Sequence, residues 1–328
     1  MARFAVAFGL LLIGSGRVAQ AAESTPLVLE AKIPLGNVQG RIDHLAIDLE
    51  RQRLYVAELG NDSVGVVDLK ERRVLRTVST FLAPQGIGYE PLTDAVYIAN
   101  GGDGSVRLLQ GRNLEPLGRI DLGEDADNVR VDATHRRVVV GYGHGALAVI
   151  DSESRKKIAD ITLKAHPESF RLADDGRRVF VNLPDAHEIA VVDLLRQKQI
   201  ASWSTQELNS NFPMILGDAE RELWVVFRRP PKLVAINTAT GARIATLDSC
   251  ADADDIFFDA KRRRLYVSCG AGYVDVWEKR GADYTKIAQL TTPAGARTAL
   301  FVPELDRLYL AVRATPNERA AIWVYHAF

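Results

Sequence analysis

Residues 125–132 read DADNVRVD and residues 252–255 read DADD, so in two places clustered carboxylates stand just ahead of an alternating apolar stretch. Asp and Asn at such spacing suit two kinds of chemistry. They can supply oxygen ligands to a hard cation such as Ca²⁺ or Mg²⁺, or they can cap a tight turn through bonds to nearby backbone N–H groups. An EF-hand loop needs Gly at its sixth position and a carboxylate at its twelfth. Counted from Asp125 those positions are Arg130 and Arg136, and from Asp252 they are Phe257 and Arg263, so that motif is excluded. Any cation held here would have to be shared between segments distant in sequence.

Two histidines suit proton transfer: His44, beside Asp43, and His144, inside GYGHGA. Either could act as a general base, and both are the catalytic candidates. Cys250 and Cys269 are the only cysteines and form no CxxC pair, so a disulfide in an oxidising compartment is their expected role. The sequence contains no GxSxG elbow, HExxH helix, phosphate loop or CxxCH haem site.

These residues are positioned by a repeat. One phrase, a β-branched or aromatic pair, a short polar loop and a second apolar run, begins at Tyr55, Tyr97, Val139, Phe180, Trp224, Tyr266 and Tyr309, with spacings of 42, 42, 41, 44, 42 and 43 residues. Each copy follows another short strand and a polar turn, and the first six are followed by a further strand. Four alternating strands at this period make a propeller blade. The seventh unit ends after its third strand, while residues 27–34, LVLEAKIP, match the fourth strand of the others. The expected fold is therefore an all-β seven-bladed propeller of four-stranded antiparallel blades, its N-terminal strand closing the last blade.

The wording of the repeats, clearest in YVAELGNDSV and YIANGGDGSV, resembles the YVTN family of exported seven-bladed β-propellers. Only the second unit keeps that family's terminal Asn, as Asn100. The resemblance implies the fold and export. It implies no chemistry, because propellers host scaffolds, binding modules and enzymes alike.

Aligned on the repeat, the residues opening the innermost strands form a ring on one face: Asp43-His44, Gln85-Gly86, Asp127-Asn128, Glu168-Ser169, Phe212-Pro213, Asp254-Asp255 and Arg297-Thr298. The next residue is apolar in every blade, which predicts a packed interior directly below a polar rim. The expected ligand site comprises Asp43, His44, Gln85, Asp127, Asn128, Glu168, Asp254, Asp255 and Arg297, with Asp43, Asp127, Glu168 and Asp254 as candidate ligands of Ca²⁺ or Mg²⁺. Two functions fit this rim. The first is a binding or interaction module for a small molecule or an exported protein. The alternative is a divalent-metal-dependent hydrolase or lyase similar to propeller lactonases.

The first residues, MARFAVAFGLLLIGSGRVAQA, have an early Arg, an apolar run and small residues ahead of a cleavage point, so residues 1–21 read as a signal peptide. The apolar run is about ten residues where a spanning helix needs about twenty, and no membrane span is expected in the mature chain, residues 22–328, read as one domain in a periplasmic or secreted location. Cleavage removes Arg3 and Arg17 and moves the formal charge from -1 to -3. That balance gives no basic field for nucleic acid. The basic turns on the opposite face, such as KERR and KRRR, are matched by adjacent acids.

Overall fold

The structure, a computed structural model, describes Met1 and residues 25–328 other than Gln206 and Ala282. The signal-peptide segment lies outside the described residues. Seven separate four-stranded sheets follow one another, all of them antiparallel meanders. The first blade runs Leu45–Asp48, Arg53–Glu58, Ser63–Asp68 and Arg73–Ser79. The last blade takes three strands from the C-terminal end, Ala299–Val302, Arg307–Val312 and Ala321–Ala327. Its fourth is the N-terminal strand Leu27–Pro34, in register from Leu27 opposite Ala327 to Pro34 opposite Ala321.

The repeat exists because each blade buries both faces. Seven apolar clusters each lie between two neighbouring blades, and one joins the last blade (Tyr309, Ile322, Val324) to the first (Leu54, Val56, Val67), which closes the ring. The side chain that opens each repeated phrase is the wedge in these seams. Tyr55, Tyr97, Val139, Phe180 and Tyr266 are fully inaccessible, and Trp224 and Tyr309 nearly so. Burying a large aromatic yields about 2–3 kcal/mol from area alone. The polar tips are satisfied: the Tyr55 hydroxyl donates to the Gly111 carbonyl across the seam, and that of Tyr266 donates to Asp259 Oδ2 at 2.8 Å.

Asn100, which resembles the family's signature residue, is buried and holds its loop together. Its side-chain amide donates to the Ile98 and Ser105 carbonyls, and its Oδ1 accepts from the Leu82 amide. Cys250 and Cys269 are joined in a disulfide linking the end of the fifth blade to the second strand of the sixth. Among the described residues, no helix is long and apolar enough to cross a membrane.

Candidate functional site

The ring residues escape the regular ladder. In four blades the pairing of the innermost strand slips where the ring residues stand, between Pro84 and Ile87, Ala126 and Val129, Asn211 and Met214, and Ala253 and Asp255. Such bulges re-aim side chains. Two residues ahead of the ring the chain turns through the left-handed region, at Ala83, Asp125, Ser210 and Asp252. Asp tolerates this conformation better than most residues. The first Asp of DADN and of DADD is thus a corner residue, and Asp127 and Asp254 are the ring members.

Asp43, His44, Asp127, Asn128, Glu168 and Asp254 converge on one small cavity of about 30 Å³ at the mouth of the central channel, which Arg41, Ser169 and Phe212 complete. Gln85 does not join them. Its Nε2 donates to Asp125 Oδ1 at 3.1 Å in an exposed position. Its neighbour Gly86 contributes no side chain, because a Cβ there would overlap the Asp127 carbonyl of the adjacent blade. His144 lies apart from the ring, almost fully exposed, with its Nε2 3.2 Å from Glu124.

Charges in the ring are largely paired. Arg41 Nη2 lies 2.8 Å from Asp43 Oδ2. Arg297 contacts Asp252 at 2.8 Å and Asp254 at 3.0 Å. Arg228 bonds Asp254 and the Ala253 carbonyl while stacking 3.7 Å from the Phe212 ring centroid, a cation–π contact. His166, just ahead of the ring, reaches Asp127 at 3.7 Å and the Gly143 carbonyl at 2.6 Å. Glu168 is different: among the described residues its carboxylate has no ion pair or hydrogen bond. Asn128 Oδ1 is also buried without a partner.

The titration behaviour follows from burial and this packing of acids. Burial and the Asp127 charge lift the Glu168 carboxyl to about 7. Burial also pushes Asp43 well above the carboxylate range, Arg41 opposing and Asp127 and Asp254 adding to the rise. Burial works against the charged His166 ring, but Asp127, the Gly143 carbonyl and Asp125 together raise it to about 9. Burial and then Arg130 depress His44 to about 4, so its imidazole is neutral at neutral pH. Among the described residues, no three His, Cys, Asp or Glu side chains are grouped as a metal would require.

The apolar residue after each ring pair is buried in a seam, as expected, but the channel that the inner strands surround is open and partly polar. Asp255 points down the channel, and its Oδ2 accepts from the Ala299 amide at 2.8 Å. Together with His44 it lines a wider space of about 390 Å³ that also receives Arg130 and Arg171. The sequence reading missed these arginines and Arg41. Strand alternation explains the first two: side chains at every second position face the channel. Two residues beyond each ring pair, where Ala46, Gly88, Ile215, Phe257 and Leu300 stand in other blades, the third and fourth blades carry Arg130 and Arg171. Reading the inner strands two residues further would have found them.

No family model and no curated protein matches the sequence. Solved structures share the fold. A chain of Kuenenia stuttgartiensis hydrazine synthase is similar with a TM-score of 0.75 at 16% identity, over 85% of this chain and 93% of that one. A chain of a mitotic checkpoint complex is similar with a TM-score of 0.78 at 13% identity, over 99% of this chain and all of the other. At such identities the likeness is one of fold alone: this chain is a seven-bladed β-propeller.

Proposed function

We propose that this chain is an exported binding module of the YVTN type whose rim recognises a primary ammonium group, carried by a small amine or by a lysine of a partner protein. One observation carries the reading. Asn128 Oδ1, buried without a hydrogen bond, lines the same small cavity as Asp127 and the unpaired Glu168. A buried acceptor left unsatisfied costs about 1–3 kcal/mol, and an ammonium brings three donors for three acceptors.

Charge and size agree. Around the mouth the carboxyl groups of Asp43, Asp125, Asp127, Glu168, Asp252 and Asp254 outnumber Arg41, His166, Arg228 and Arg297, and an entering cation would draw the two lifted ones, Asp43 and Glu168, toward their charged form. A space of about 30 Å³ suits a head the size of one water, which an ammonium is and a planar guanidinium is not. Export is supported by the disulfide and by the N-terminal sequence. A similar propeller inside a mitotic checkpoint complex agrees with a role in protein association.

The metal-dependent hydrolase has less support. Asp43 and Asp254 are already engaged by arginines, and a histidine depressed to about 4 is a poor base at neutral pH. Calorimetric titration of residues 22–328 with butylammonium, a lysine-containing tripeptide, Ca²⁺ and Mg²⁺ tests the choice. The reading expects saturable amine binding weakened about tenfold or more by Asp127→Asn. Binding of the divalent ions without the amines would overturn it.

A further inference from the structure

Below the rim, Arg130 and Arg171 enter the channel from equivalent positions of neighbouring blades. Asp255 attracts both and Asp127 attracts Arg130, but among the described residues neither arginine forms an ion pair. Arg130 spends Nε on the Phe170 carbonyl at 3.2 Å and Nη1 on the Val129 carbonyl at 2.8 Å. Arg171 makes no hydrogen bond or ion pair among the described residues, and its Nε is buried without an acceptor. Burial and the neighbouring Arg171 push Arg130 down to about 9, and burial lowers Arg171 as well, so both pay for being charged where they are. Asp255 faces the same space, yet it holds the Ala299 amide and forms no ion pair with either guanidinium. Burial chiefly raises its carboxyl to about 7, which halves its charge at neutral pH.

Two adjacent, largely buried guanidiniums that share one partly charged carboxyl, Asp255, are costly unless something supplies further negative charge. Guanidiniums present parallel N–H donors that match an oxyanion in bidentate fashion. The space of about 390 Å³ is within the range of small-molecule sites. Its other walls are apolar, with Ile87, Val129, Phe257 and Leu300 among them.

We propose that the channel is a second binding site, separate from the rim, for a small organic acid whose oxyanion bridges Arg130 and Arg171 and whose apolar body lies against Phe257 and Leu300. This site does not depend on the rim reading.

Thermal melts and calorimetry on residues 22–328, with benzoate, acetate and sulfate at constant ionic strength, test it. Benzoate is expected to raise the melting temperature saturably and to bind more tightly than acetate or sulfate. Arg171→Met should melt no lower than the parent without ligand, since it removes an incompletely compensated charge, and should lose about tenfold or more in benzoate affinity. Arg171→Lys should keep part of that affinity, and Asp127→Asn should keep all of it. Equal benzoate binding by the parent and Arg171→Met would overturn the site. So would the absence of any benzoate response, together with a lower melting temperature for Arg171→Met. Sulfate binding as tight as benzoate would overturn the assignment to an organic acid.

Discussion

Asp127 and Glu168 stand at equivalent positions of neighbouring blades and line one cavity, and the charge of the first, added to burial, keeps the second protonated up to about pH 7. This pairing makes the rim responsive to pH and to any cation that enters it.

Stability should therefore fall as pH rises through the neutral range. The ordinary Glu value is 4.5 and the folded value about 7, so the unfolded chain loses its proton first and Glu168 destabilises progressively between those limits. Asp255, also lifted to about 7, acts with the same sign from 3.8 upward. His166 contributes stability that is full below 6.5 and fades toward about 9. Glu168→Gln is expected to match the parent near pH 4 and to exceed it at pH 8 by on the order of 2 kcal/mol. Denaturant melts at the two pH values check this, and an unchanged pH profile in the variant would contradict it.

The N-terminal strand should be needed for a monodisperse protein. Leu27 and Ile33 are buried in the seams, and Glu30 reaches Arg307 of the last blade at 2.7 Å and Arg72 of the first at 2.6 Å. A chain starting at residue 36 would leave Ala321–Ala327 as a bare edge, which templates pairing with other chains. Size-exclusion chromatography should show larger species for it. Glu30→Ala should cost less than about 1 kcal/mol, since exposed ion pairs are weak.

The disulfide should contribute to stability through the unfolded state. Cys250 and Cys269 are separated by 19 positions, for which loop entropy gives about 3 kcal/mol. The double variant Cys250→Ala, Cys269→Ala should fold and bind as the parent does, but unfold at lower denaturant, its unfolding free energy smaller by that amount. Equal midpoints would show that the bond adds nothing.

Much of the fold was legible because the seam side chains, aromatic in every blade but the third, recur at a nearly constant period from Tyr55 to Tyr309, and because LVLEAKIP matched the strand missing from the last unit. The ring could be listed by alignment, and the cavity gathers Asp43, His44, Asp127, Asn128, Glu168 and Asp254. What alignment could not give was the direction of each side chain. Bulges at Gln85, Asp127 and Asp254 re-aim their neighbours, so Gln85 turns outward to Asp125 while Asp255 turns down the channel. Arg130 and Arg171 were hidden for another reason. They sit inside short strands whose flanking residues are core, and only the period of two marks them as channel-facing.

The most direct test of the rim is proton release on binding. A cation beside Glu168 must pull its carboxyl back toward the ordinary value, so binding at pH 7 should expel up to about half a proton. Calorimetric titration with butylammonium in buffers of different ionisation enthalpy measures that number. Clear release is expected from the parent and markedly less from Glu168→Gln, in which Asp43 is the remaining lifted carboxyl of the cavity. Binding without release, or equal release from both proteins, would contradict the rim reading.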